Sequence, residues 1–353
     1  MKNETRRALA LGPKVAAALS GSWRLVPPLV DFAVADWPQT AARLLETGAG
    51  ALGWWRVRGS HLHREPASMK LRHAYRLHSI HAGVREHLTA RVFDRCREWG
   101  VEPLVAKGWA VACMYPEAGL RPSGDIDLFV RPEQYEAAEV ALADFRPRQL
   151  AVDLHRGIDD LVDRPLDEVL ARSEMRPCGT SRVRIAGPED SLRHVCVHLM
   201  RHGAWRPLWL VDVAATVESV GDDFDWDYCL RGNTQRTQAV CCAVGLAHHL
   251  LGARVDRTPV ADRARCLPRW LVPSVLHQWG RPYERFTDLP FASTLGHPVA
   301  IVPALRRRWP NEVESTMSVC GPFNNAPRLP LQVADGLVRL GRFVRGLPRY
   351  LLS

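Results

Sequence analysis

The segment GDIDLFV, residues 124–130, constrains this chain more than any other stretch. Ile126, Leu128, Phe129 and Val130 form the short apolar run of a buried strand, and two acids, Asp125 and Asp127, are set into it. Side chains alternate along a strand, so Asp125 and Asp127 are expected on one face with Ile126 and Leu128 on the other. Two converging carboxylates repel, and each would be driven towards its protonated form unless a cation neutralises them. A divalent metal is the simplest cation that fits.

A second segment, LAVDLH, alternates in the same way and places Asp153 and His155 on one face, Val152 and Leu154 on the other. If this strand lies beside the first, Asp153 joins the pair. Three carboxylates on adjacent strands can hold two Mg²⁺ ions about 3.5–4 Å apart, one orienting a triphosphate and the other acidifying an attacking hydroxyl. Oxygen ligands of this kind favour Mg²⁺ over zinc. Upstream, Gly108 offers a turn with no side chain, where backbone N–H groups can approach phosphate, and Lys107 adds charge beside it. Arg121 suits either a phosphate or the loop's own aspartates. No G-x-x-x-x-G-K-[ST] run occurs, which excludes a P-loop.

With 353 residues, 46% hydrophobic and 24% charged, the chain has the composition of a soluble globular protein of two or three domains. Residues 1–100 read mostly as helix, with three- and four-residue apolar spacing in DWPQTAARLLETGAGALGWW and YRLHSIHAGVREHLTARVFDRCREWG. Short strands are expected at VEPLVA, DIDLFV and RQLAVDLHRGI, with helices at GWAVACMY and PEQYEAAEVALADF between them. Helical spacing dominates again from GPEDSLRHVCVHLMRHG onward. The net charge of +9 comes from scattered arginines and suits phosphate-bearing partners in general. The basic and aromatic residues form no recognisable nucleic-acid module, so nucleic acid is the less favoured partner. Nine cysteines at irregular spacing, with no C-x-x-C pair, predict reduced thiols and a cytoplasmic protein. No apolar stretch reads as a signal peptide or a transmembrane segment.

The motif series K-G-W-A, R-x-S-G-D-I-D-L-F-V, D-L-H and P-E-D…H…R-H, here VAKG, LRPSGDIDLFV, VDLH and GPEDSLRHVCVHLMRHG, resembles the polymerase-β-type nucleotidyltransferases. Within that superfamily it is most similar to a broad, poorly characterised nucleotidyltransferase family, and the resemblance runs from about residue 30 to residue 250. It implies an α+β fold, a small mixed β-sheet nucleotidyltransferase core (101–187) embedded in N-terminal (1–100) and C-terminal (188–353) helical regions. It also implies Mg²⁺-dependent transfer of a nucleoside monophosphate, AMP from ATP first among the donors, to a hydroxyl acceptor that the sequence does not identify. By the same resemblance Asp125, Asp127 and Asp153 are the metal ligands, with Lys107 and Gly108 at the nucleotide phosphates. The superfamily usually carries Gly-Ser where this chain has Gly108-Trp109, and Ser123 is the candidate to replace that serine. The alternative is a catalytically inactive nucleotide- or nucleic-acid-binding protein with the same fold.

His194, His198 and His202, four residues apart, share one helix face. The spacing can build a zinc site, yet no fourth ligand is evident, and packing is the plainer reading. His198, His202 and Arg206 are expected to face the aspartates across the cleft, as contacts to nucleotide or acceptor. Asp212, an acid inside an apolar helix, is expected to pair with a buried Arg or His. The C-terminal LQVADGLVRLGRFVRGLPRYLL is amphipathic and basic. It fits an anionic membrane surface, but packing against the helical region is the favoured expectation.

Overall fold

A computed structural model describes residues 2–145, 152–281 and 309–351. Four N-terminal helices come first: α1 (Lys2–Leu19), α2 (Trp37–Glu46), α3 (Gly50–Val57) and the 33-residue α4 (Pro66–Glu98). Pro38 and Pro66 sit in the first turns of α2 and α4, where a missing N–H costs nothing. The single helix expected over 36–55 is broken at Gly48, whose φ of +78° lets the chain turn from α2 into α3. Gly100, at φ +70°, ends α4 as the sequence predicts.

The sheet follows, with short helices between its strands. Its elements are α5 (Trp109–Ala112), β1 (Ile126–Val130), α6 (Tyr135–Ala141), β2 (Val152–Arg156), α7 (Leu166–Ala171), β3 (Glu174–Cys178) and β4 (Ser181–Ile185). β1 and β2 are parallel and β3 and β4 antiparallel. The two pairs are joined through Leu104 and Val105. Leu104 and Phe129 exchange both backbone hydrogen bonds at 2.9 Å, and Val105 bridges to the end of β4. The arrangement is a mixed sheet, as expected, although VEPLVA contributes two bridging residues in place of a strand. The β3–β4 hairpin has no counterpart in the sequence reading. Residues 146–151, including the start of the expected third strand, lie outside the described residues.

Every residue of β1 is buried, as a strand covered on both faces requires. Ile126, Leu128 and Val130 pack with Val152 and Leu154 of β2 and with Ala90, Phe93 and Cys96 of α4. Phe129 faces the other way, towards Ile158, Leu161 and Val169. Asp127, between Leu128 and Ile126, therefore sits on the Phe129 side.

Helices complete the chain: α8 (Pro188–Arg201), α9 (Pro207–Ser219), α10 (Trp226–Leu230), α11 (Thr234–Leu251), α12 (Ala261–Arg265), α13 (Leu271–Gly280), α14 (Glu312–Ser318) and α15 (Leu329–Leu351). The apolar faces of α8–α14 and those of α1–α3 form one core, in which Trp37, Trp55 and Trp279 are fully buried. That core anchors α8 against the face of the sheet that carries Asp127, with His194 on Phe129.

Candidate active site

Strand register brings the acids together. Asp127 and Asp153 are direct partners in the parallel β1–β2 ladder, so their side chains leave the sheet on the same face, and His155 follows two residues on. The ligand atoms of Asp127, Asp153 and His155 all lie within 4.8 Å of one another. His155 Nε2 is 3.3 Å from Asp127 Oδ1 and 3.3 Å from Asp153 Oδ2. Its ring stacks on Phe129 with centroids 4.9 Å apart, which fixes the imidazole between the two carboxylates.

The two acids have different surroundings. The Asp127 side chain is only 4% exposed and Asp153 59%. A buried carboxylate needs partners, and Asp127 has two: Lys107 Nζ at 2.8 Å and His155. Burial alone would raise the Asp127 carboxyl, but the His155 hydrogen bond and the Lys107 charge outweigh it and hold it below its usual value. The same hydrogen bond raises His155 against the opposing effect of burial. Asp153 turns its carboxylate to solvent, where a ligand can reach it.

Asp125 stands one residue before β1, exposed, and outside the group formed by Asp127, Asp153 and His155. Gly108 adopts φ +62° and ψ −112°, a backbone state that favours glycine, and a Cβ there would come within 3.8 Å of Ser123 and of the Asp125 carbonyl. Gly108, Ser123 and Asp125 thus form a shared rim beside Lys107.

Arg121 turns away from this rim. Its Nη2 lies 2.9 Å from Asp212 Oδ2 in α9, and Tyr115 donates to Asp212 Oδ1 at 2.7 Å. Arg121 thus pairs with Asp212 of α9 and not with an aspartate of its own loop. Asp212 has the buried arginine expected of it.

The α8 histidines are arranged differently from the expected wall. His198 Nδ1 is 3.1 Å from Asp160, just beyond β2, and Arg201 donates to the same carboxylate at 2.5 Å. His202 packs against His198 and Trp209, and burial lowers its pKa to about 4. Arg206 Nε donates to the Thr47 carbonyl at 3.0 Å, tying α9 to the α2–α3 turn. His194, read from sequence as packing, lies nearest the sheet: its ring meets Phe129 edge-on at 6.1 Å, and neither ring nitrogen has a hydrogen-bond partner. Burial lowers it to about 4.

His155 is the site residue that sequence reasoning did not nominate. Its signal was present in the alternation that placed it with Asp153, and the missing step was the register that sets both against Asp127. Two carboxylates and an imidazole at the edge of a mixed sheet, with a lysine on the buried acid, form a set suited to a divalent cation and a phosphate-bearing substrate.

No curated protein and no solved structure matches the chain. A family model described as uncharacterised nucleotidyltransferase matches residues 34–252, which span α2 to the end of α11 and enclose the whole acidic site. The chain belongs to this family of nucleotidyltransferases.

Proposed function

We propose that the protein transfers a nucleoside monophosphate, AMP from ATP in its simplest form, to a hydroxyl of a small molecule, peptide or protein. The acceptor oxygen bonds to the α-phosphorus, the bond from that phosphorus to the bridging oxygen breaks, and pyrophosphate leaves. The observation that carries this reading is the register pairing of Asp127 with Asp153, closed by His155 and Lys107.

The donor set fits a divalent cation: two carboxylates and an imidazole already converge, and Asp153 is open to solvent. Asp127 and Asp153 would hold Mg²⁺, with Asp125 at the rim available for a second ion. Bound there, Mg²⁺ would offset the triphosphate charge and acidify the attacking hydroxyl. The chain's own groups act around that. Lys107, beside the Gly108 turn, offers its ammonium to phosphate oxygens, and Ser123 offers a hydroxyl on the same rim. Asp153, the exposed acid, either accepts the acceptor proton or joins the ligands. Among the α8 residues, His194 is the one placed to cover the site from the opposite side, while His198, His202 and Arg206 support that wall. The nine cysteines are all free thiols, which supports a reducing, cytoplasmic setting.

Titration of ATP in Mg²⁺ and in EDTA, together with product analysis using α-labelled nucleotides and a host lysate, tests the reading. Mg²⁺-dependent binding is expected, with Asp127→Asn losing it. Asp153→Asn should abolish transfer while leaving nucleotide affinity within a few-fold if it serves the acceptor. Equal affinity in EDTA and Mg²⁺, or wild-type transfer by Asp127→Asn, would sink it.

A further inference from the structure

The last helix meets the rest of the protein through its polar side. Gln332 donates to the Pro310 carbonyl at 2.9 Å, Ser318 to Asp335 at 2.6 Å, and Arg339 reaches both Glu314, at 2.7 Å, and Asp335. Asp335 is buried by these contacts. Arg328, just ahead of the helix, is also buried, and it donates to the Pro322 and Ala326 carbonyls. These contacts fix the rotation of α15 about its axis.

That rotation turns the apolar side outward. Leu329, Val333, Leu337 and Leu340 follow at intervals of four, four and three residues, which places them on one face. They are 61%, 44%, 64% and 54% exposed. An amphipathic helix that packs into its own protein does the reverse, so the favoured expectation of ordinary packing does not hold for this face. Contiguous exposed apolar surface of this kind marks an interaction site. Beyond Arg339, Arg342 and Arg345 are exposed and make no ion pair among the described residues. The helix carries four arginines and one acid, and that acid, Asp335, is already paired. Among the described residues no helix is long and apolar enough to cross a bilayer.

We propose that α15 lies on an anionic membrane surface, with the Leu329–Leu340 stripe in the acyl boundary and Arg345, towards the flank of that stripe, nearest the headgroup phosphates. Charge selects this occupant. A second copy would bring the same arginines and another net charge of +9 to the contact, whereas an anionic bilayer supplies the opposite sign together with an apolar layer. The attachment is peripheral, and its polar anchor to α14 keeps the body of the protein on the aqueous side.

Flotation of the full chain with vesicles of phosphatidylcholine, with and without phosphatidylglycerol, tests the proposal. The protein should float with the anionic vesicles, remain behind with phosphatidylcholine alone, and detach as salt rises. Leu337→Asp combined with Leu340→Asp should lower binding roughly tenfold or more, because the stripe no longer enters lipid. Arg345→Gln should lower it roughly fivefold while leaving the stripe intact, and Arg342→Gln, on the opposite face, should lower it by less. All four side chains are exposed, so the thermal midpoint should be unchanged in every variant. Absence of flotation with anionic vesicles would overturn the proposal, as would binding indifferent to the Leu337 and Leu340 changes. A dimer in light scattering that Leu337→Asp dissociates would also overturn it and assign the stripe to a second copy.

Discussion

Replacing Asp212 by alanine removes the acid that holds the loop in front of β1. Asp212 Oδ2 lies 2.9 Å from Arg121 Nη2, Arg121 Nε is within 3.3 Å of both oxygens, and Tyr115 donates at 2.7 Å. Side-chain exposure is 9% for Arg121 and 4% for Asp212, so little water is at hand to replace what is lost. Burial would lower the Arg121 pKa, but Asp212 reverses the effect, and the guanidinium remains charged. Breaking a buried pair from one side leaves an uncompensated charge, which costs about 3–5 kcal/mol. Tyr115→Phe removes one hydrogen bond to a charged acceptor and should cost about 1.5–3 kcal/mol. Arg121→Met combined with Asp212→Leu removes both charges but leaves the buried Tyr115 hydroxyl without its acceptor, so it should cost about 1–3 kcal/mol, less than Asp212→Ala. Urea unfolding followed by tryptophan fluorescence separates the three. Nucleotide affinity should fall even in the apolar pair, because residues 122–125 carry Ser123 and Asp125 and would lose their anchor to α9. A cost below about 1 kcal/mol for Asp212→Ala, the range of exposed pairs, would refute the reasoning.

Two further outcomes follow from the same accounting. Gly119 has φ +88°, and a Cβ there would lie 2.5 Å from the Ser79 amide nitrogen in α4, so Gly119→Ala should cost about 1–3 kcal/mol in urea unfolding, with the Pro122–Asp125 loop displaced. His194 is lowered to about 4 by burial, so the unfolded chain binds its proton first. Its contribution is present above the unfolded value of about 6.5 and is lost as pH falls towards 4. His194→Gln should flatten the decline in stability across that window, as measured by urea midpoints at stepped pH.

The parts of the site legible in sequence are those set by local alternation. GDIDLFV and VDLH each declared a strand and a face, and pairing two strands through a helix is short-range topology. The register that puts Asp127 level with Asp153 is a tertiary fact, and it separates Asp127 from Asp125, which the strand period alone had treated as equals. The β3–β4 hairpin was illegible because EMRPC and SRVRI carry Pro177 and three arginines where a strand pattern would show apolar alternation; the pair is held by register and by Val183 and Cys178 in the core. The α8 histidines share a face, as their spacing predicts, but spacing does not say which acid that face meets. Asp160, beyond β2, captures His198 and Arg201, and nothing near Asp160 in sequence points to α8.

The segments after the strands contribute to the fold in a way that the D-x-D chemistry obscures. In the P-E-D stretch, Glu189 pairs with Arg172 at 3.1 Å and accepts the Asp225 amide, and Asp190 stands 3.2 Å from Arg164 with both side chains almost fully buried. Tyr228 donates to Asp190, and Arg164 in turn donates to the Tyr228 and Cys229 carbonyls. Arg193 completes the set, bound to Asp163 and to the Cys229 carbonyl. These charges join the turns after β2 to α8 and α10, so they hold the wall that carries His194 at a fixed distance from Asp127 without touching the site itself. Two neighbouring motifs therefore predict opposite phenotypes. Asp190→Ala strands Arg164 and should cost about 3–5 kcal/mol, with the folded fraction retaining its affinity for nucleotide. Asp153→Asn changes a half-exposed side chain and should leave stability within about 0.5 kcal/mol while transfer is lost. Urea midpoints and transfer rates measured on the same two proteins decide the matter. If Asp190→Ala melts like wild type but no longer transfers, the P-E-D acids belong to the chemistry, and the division drawn between the sheet and its supporting wall is wrong.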